Sequence, residues 1–236
     1  MPAMRRLDQV LSALGYCSRR EAEAIVRAGR VQVAGAVAKR ADARVNAAEV
    51  LLDQQPLEAP EGLLAVFHKP LGYVCTHADG EGDTIYEWLP RRWLARNPPV
   101  TSVGRLDKDT SGLLLITDVG QIVQRYTSPR AQVEKVYEVT VDRPLDDALV
   151  AVFASGQLLL RGEDRPCLPA RLEIKGPCQA DLTLQEGRYH QVRRMFASQG
   201  WHVEALHRSR FGTHTLEGLA PGEWRRLDSL AEAMPG

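Results

Sequence analysis

Apolar and polar positions repeat with two different periods along this chain, and the change of period marks its organisation. Leu7, Val10, Leu11 and Leu14 recur at helical spacing, one apolar face of a short helix that Gly15 ends. Ser18-Arg19-Arg20-Glu21 has the form of a capping box. A second helix therefore starts there, buries Ala22, Ile25 and Val26, and stops at Gly29. RVQVAG then alternates, and EVLLDQQPLE folds back about its DQQP turn, which predicts short strands. Two helices and a few short strands make a viable unit of about 60 residues. EAPEG, residues 58–62, reads as a linker, which divides the chain into domains 1–60 and 61–236.

Past the linker, strand-like segments dominate. LLAVFHKP, LLLIT, KVYEVTV, ARLEI, ADLTLQ and WHVEAL read as strands. TIYEWLP, QIVQRYTS, DDALVAVFASG and HQVRRMFASQG read as helices between them. Gly, Pro and Asp turn signals separate the strands. The expected fold class is therefore α+β: a small amino-terminal domain, then a larger one with a mixed, mainly antiparallel sheet flanked by helices.

Overall composition changes this picture little. Lys+Arg and Asp+Glu both number 30, so net charge does not choose between nucleic acid and membrane partners. The four cysteines, Cys17, Cys75, Cys167 and Cys178, are scattered without a CxxC pair, which points to reduced thiols in a cytoplasm. The apolar runs are too short for a signal peptide core or a membrane span. The expectation is a cytoplasmic monomer with no membrane partner.

Local charge is more informative. Arg5, Arg6, Arg19, Arg20, Arg27 and Arg30 cluster in the two amino-terminal helices. Arg19 and Arg20 occupy a helix first turn, where the macrodipole disfavours cations, so a phosphate partner gives them a purpose. A solvated face balanced by Glu21 and Glu23 is the plainer alternative. The string EGRYHQVRRMFASQGWHVEALHRSR is more basic still. It carries Arg188, His190, Arg193, Arg194, His202, His207, Arg208 and Arg210 around two acids, with Tyr189, Gln191 and Trp201 interleaved. Base with aromatics suits RNA. Its histidines are irregularly spaced and lack a cysteine or acid pair, which disfavours a metal site.

In GRLDKDTSGLLLITDVG, residues 104–120, two acids stand before an apolar strand. The order of Asp107, Asp109 and Thr110 is that of a magnesium-dependent phosphatase nucleophile loop. There, however, the strand runs into the first acid, whereas here it follows. Asp109 and Thr110 suit a turn. Asp107, beside Arg105 and Leu106, needs another account.

These segments together resemble the RsuA-type pseudouridine synthases. Residues 1–60 resemble the family's S-four-type RNA-binding module, and KPLGYVCT the opening of its catalytic domain. GRLDKDTSGLLLITDVG resembles the catalytic motif, TSPRAQVEKVYEVTV the motif with the active-site tyrosine, and EGRYHQVRRMFASQGWHVEALHRSRFG the last two motifs. The resemblance implies a cofactor-free and metal-free isomerisation of uridine to pseudouridine in ribosomal RNA. It implies Asp107 as the catalytic aspartate, Arg105 holding the target nucleotide, and Tyr137 against the base. It further implies Arg193 as the cation paired with Asp107, where the family is expected to have lysine, and Leu206 as an apolar wall. The GYVCT, TSPR and EGRYHQV segments look closest to the small-subunit enzyme, which implies uridine 516 of 16S rRNA or of an assembly intermediate. A large-subunit 23S enzyme and a non-catalytic assembly factor are the alternatives. The expected RNA contacts are Arg5, Arg6, Arg19, Arg20, Arg27, Arg30, Lys69, Arg188, His190, Gln191, Arg194 and Arg208.

Overall fold

The computed structural model describes residues 4–78 and 80–230. The ends of the two expected domain ranges, residues 1–3 and 231–236, lie outside the described residues.

The amino-terminal unit runs β1 (Arg5–Arg6), α1 (Leu7–Ala13), α2 (Arg19–Arg27), β2 (Val31–Val33), β3 (Ala36–Val37), β4 (Arg44–Val45), β5 (Val50–Leu52) and β6 (Gln55–Pro56). Both helices form where the apolar spacing placed them. Ser18 and Glu21 close the capping box on α2, satisfying two backbone N–H groups that a helix start leaves free. Asp53 and Gln54 both take positive φ, 50° and 66°, in the tight turn that joins β5 to β6. Leu7, Val10, Leu11, Ala22, Val31 and Val50 are fully buried, forming a separate small core. Arg5 and Arg6 are not helical as expected. They form a two-residue strand against β4, and the Arg6 guanidinium bonds Asp8 through two hydrogen bonds of 3.0 Å.

The second unit contains β7 (Leu64–Lys69), α3 (Arg91–Leu94), β8 (Thr101–Ser102), β9 (Ser111–Thr117), α4 (Gly120–Thr127), β10 (Lys135–Val141) and α5 (Ala148–Ala154). It continues through β11 (Arg171–Gly176), β12 (Gln179–Leu184), α6 (Gln191–Ser198), β13 (Val203–Phe211), β14 (His214–Thr215) and β15 (Trp224–Arg226). These strands make one nine-stranded sheet of order β11-β12-β10-β13-β9-β7-β15, with β14 beside β13 and β8 beside β9. Its pairs are antiparallel except β9 with β13, so the mixed, mainly antiparallel expectation is met. Phe153, Met195 and Phe196 of α5 and α6 are buried in the larger core with Tyr137, Val139 and Leu206 of the sheet. Among the described residues no helix is long and apolar enough to cross a membrane.

Two expectations need correction. TIYEWLP is a 3-10 turn, Ile85–Trp88, not an α-helix, because Pro90 keeps Leu89 extended and stops propagation. Nor is EAPEG a free linker. The buried Arg96 side chain donates to Glu58 O at 3.2 Å, Ala59 O at 2.8 Å and the Asp118 carboxylate at 2.6 Å. Asp118 in turn accepts the Leu63 N–H at 2.7 Å, and Glu58 pairs with Arg92 and Trp93. The segment is strapped to the second unit.

The parallel pair is the tightest point of the sheet. Gly112 lies opposite Arg208 with φ 116°, and a Cβ there would overlap the Arg208 backbone N, C and O atoms. Only glycine allows β9 and β13 to approach so closely while adopting that φ. Gly112→Ala should therefore destabilise the fold by roughly 3 kcal/mol or more, combining strain and overpacking. Gly72→Ala is the control, since Gly72 has a similar φ of 90° but open space around it. It should cost only about 1 kcal/mol, read from denaturant unfolding of both variants. Equal losses would show that backbone strain alone, not the approach of the strands, makes Gly112 necessary.

Candidate active site

Much of the hold on the loop before β9 is through its backbone carbonyls. Thr110 N–H donates to Asp107 O at 3.0 Å, closing the turn. Gly72 N–H donates to Lys108 O at 2.8 Å, and the Cys75 thiol reaches Leu106 O at 3.4 Å. Below them the Lys69 ammonium donates to Thr110 O at 2.8 Å and Pro70 O at 3.1 Å. Lys69 is fully buried, and burial pushes its amine below the usual lysine range. It is a strut for the loop, which corrects its expected role as a surface RNA contact.

The two acids of the turn have different partners. Asp107 Oδ1 lies 3.3 Å from His190 Nε2, at the start of α6. Asp109 Oδ2 lies 2.8 Å from the Arg193 guanidinium, which also donates to Asp109 O at 3.0 Å and Val203 O at 2.8 Å. The expected pairing of Arg193 with Asp107 is thus not what the geometry shows. Arg193 clamps the neighbouring residue of the loop to α6 and β13, and His190 faces Asp107. Asp109 likewise serves the turn through this ion pair. Arg193 lies one α-helical turn (three residues) from His190, so both reach the loop from one side of α6.

A pocket of about 270 Å³ opens here. Its lining includes Arg105, Asp107, Tyr137, His190, Arg193 and Leu206, so the structure gathers all five expected catalytic residues from four separate segments. Arg105 is exposed, Asp107 half-buried, and Tyr137 and Leu206 are buried. Tyr189, exposed, stacks on His190 with ring centroids 3.9 Å apart. Lys135, Arg208 and Phe211 are buried residues of the same lining. Lys135 escaped the sequence reading, although its signal was present. In KVYEVTV it stands two residues from Tyr137, and on a strand such residues share a face.

Several expected RNA contacts prove to be internal. Arg188 bonds Glu186 at 3.1 Å, Arg165 O at 2.7 Å and Pro166 O at 2.5 Å. Arg194 bonds Glu163 at 2.7 Å, Arg161 O at 2.8 Å and Tyr189 O at 3.0 Å. Gln191 is buried, donating to Glu186 at 2.7 Å and accepting Arg188 N–H at 2.9 Å. These three residues tie the 161–166 segment to the start of α6. Arg208 is buried too, its Nε donating to Leu113 O at 2.8 Å. In the amino-terminal unit Asp8 binds both Arg6 and Arg19, and these guanidiniums hold its carboxyl below the usual range. Arg30 pairs with Asp53. Arg5, Arg20 and Arg27 are exposed.

A carboxylate, a buried tyrosine ring and several cations thus line one pocket, a set of groups suited to one residue of a polyanion. Residues 63–198 match the family model for RNA pseudouridylate synthase, and residues 5–51 that of the S4 domain. Ribosomal small subunit pseudouridine synthase A of Pasteurella multocida is 40% identical over 227 residues, covering 95% of this chain and 96% of its own. Its namesake in Escherichia coli strain K12 is 41% identical over 227 residues, covering 94% and 96%. A crystal structure of a pseudouridylate synthase superposes with a TM-score of 0.67 at 38% identity, over 97% of this chain and 98% of that one. The chain belongs to the RNA pseudouridylate synthase family.

The clamp makes a prediction. Arg193→Met removes three bonds that fix the loop and should lower turnover about 100-fold through misplacement of Asp107. Asp109→Asn deletes only the solvent-exposed ion pair and should cost under about 1 kcal/mol of stability. Single-turnover rates and thermal melts of both variants measure this. Unchanged turnover in a folded Arg193→Met variant would show that the clamp does not position the loop.

Proposed function

We propose that this enzyme converts uridine 516 of 16S rRNA to pseudouridine, on the RNA or a small-subunit assembly intermediate, with Asp107 as the reacting carboxylate. The observation that carries this reading is that Asp107 is the one acid lining the pocket among the described residues. The similarity to small subunit synthases supports the choice of the small subunit. Residues 1–60 grip the RNA and residues 61–236 carry the chemistry. A ribosomal RNA substrate suits a cytoplasmic enzyme acting as a monomer.

The target uridine must leave the RNA stack, at a cost of a few kcal/mol. Exposed Arg105 at the rim supports a role in holding the displaced strand. Arg5, Arg20 and Arg27 suit phosphates further out. Tyr137 offers the uracil a flat face and a hydroxyl. Asp107 then attacks the anomeric carbon or removes the adjacent ribose proton, and the carbon–nitrogen bond breaks. With the RNA seated over it, the pocket would keep the free base from water while it turns and rejoins through carbon 5. The isomerisation requires neither redox chemistry nor a cofactor.

Wild-type enzyme incubated with a 16S assembly intermediate should produce pseudouridine at one position, found by chemical mapping. Asp107→Asn should abolish turnover, a loss of at least about 1000-fold, while RNA affinity stays near that of the wild type. Turnover surviving in Asp107→Asn would remove Asp107 from the chemistry. Modification confined to 23S rRNA would overturn the substrate assignment alone.

A further inference from the structure

We propose that Lys135 and Arg208 form a cationic floor to the pocket and take up the negative charge that arises on the uracil ring when its glycosidic bond breaks. The proposal rests on the functional reading above and adds two catalytic residues to it.

The geometry comes from the sheet. In the antiparallel pair of β10 and β13, Tyr137 lies opposite Arg208 and Lys135 opposite Phe211. Directly opposed residues share a face, as do residues two apart on one strand. Lys135, Tyr137, Arg208 and Phe211 therefore present their side chains together, and all four line the pocket. Arg208 is 2% exposed and Lys135 9%. The Arg208 Cζ stands 4.7 Å and the Lys135 Nζ 5.2 Å from the Phe211 ring centre.

Two buried cations beside one ring, without a counter-charge, are costly to maintain. Neither lies within ion-pair distance of a carboxylate among the described residues, as their hydrogen bonds show. Lys135 Nζ donates to Val133 O at 3.0 Å, and Arg208 Nη2 is buried without any partner among the described residues. Glu186, the acid whose field reaches Lys135, is already bonded to Arg188 and Gln191. Burial, reinforced by Arg208, pushes the Lys135 amine down to about 8, so it is still mainly protonated at neutral pH. Phe211 offsets part of the cost, since its ring faces attract cations. The unspent donor on Arg208 and the uncompensated charge suit an anion that exists only during turnover.

The reaction makes such an anion by either route. If the Asp107 carboxylate bonds to C1′, an ester forms and the C1′–N1 electron pair leaves with the base. If Asp107 instead takes the C2′ proton, a C1′–C2′ double bond forms and the same pair leaves with the base. The negative charge thus passes from the carboxylate to uracil, spread over N1, O2 and O4. When C5 bonds to C1′, the ester bond breaks or the C2′ proton returns, and the carboxylate is restored. The C5 proton is lost and N1 gains one, so the product is an isomer. Donors preorganised where charge develops accelerate such a step more than they tighten ground-state binding.

Lys135→Met is the decisive variant, because it keeps the aliphatic stem and leaves the Arg208 bond to Leu113 in place. Single-turnover rates and RNA dissociation constants would be measured on the 16S assembly intermediate for wild type, Lys135→Met and Arg208→Gln, with thermal melts for folding. The expected result is a rate about 100-fold lower in Lys135→Met with unchanged RNA affinity. With 5-fluorouridine at the target, whose fluorine stabilises the departing anion, loss of the N-glycoside should show a smaller defect. An undiminished defect would mean that Lys135 only positions the base and would overturn the proposal. So would a wild-type rate in the variant, or a loss confined to affinity, which would signify a phosphate site. An inactive wild type would overturn the functional reading and this proposal with it.

Discussion

The close approach of β9 to β13 at Gly112 and Arg208 is the constraint on which the site depends. Both strands carry one half of the pocket. β9 is preceded by the loop with Arg105 and Asp107, and β13 carries Leu206 and Arg208. A side chain at residue 112 would force the strands apart and with them the acid from the floor. The same junction is the parallel step in an otherwise antiparallel sheet, so the chain must leave β9, form α4, β10 to β12 and α6, and return beside it. This long excursion brings residues eighty and more positions apart into one cavity.

Around that junction the fold spends its cations inward. Lys69 supports the loop from below, Arg193 from the side, and Arg96 straps the preceding segment to β9 through Asp118. Each donates to backbone carbonyls of the segment that it holds. Arg188 and Arg194 do the same for the 161–166 segment. The loop is therefore held by these bonds together with the buried Leu106 side chain, while Asp107 stays half-exposed.

This explains which parts of the molecule were legible in the sequence. Helices α1 and α2, the main sheet strands and α6 follow periodicity and caps, which are local signals. Asp107, Tyr137 and Leu206 were reached through motifs, and the pocket brings them together. The partners of the charged residues were not legible. Asp107 and Asp109 are two residues apart, yet one faces His190 and the other Arg193, a difference fixed by a turn and a helix phase. A count of basic residues could not separate Arg20, exposed, from Arg194, bonded to two carbonyls and a carboxylate. Lys69 and Arg208 misled for the same reason, because burial is a property of the whole sheet. TIYEWLP failed locally, where Pro90 outweighed its apolar spacing.

The pocket that results is lined by a half-exposed acid, a buried tyrosine and buried cations drawn from separate segments of the chain. The most direct test is a structure of the Asp107→Asn enzyme bound to a 16S fragment carrying the target uridine. The account predicts that uridine extruded, its ring on Tyr137 and its anomeric carbon about 3.5 Å from the residue 107 side chain. A complex in which the uridine remains stacked in the RNA, or enters the pocket with its ribose away from residue 107, would contradict it.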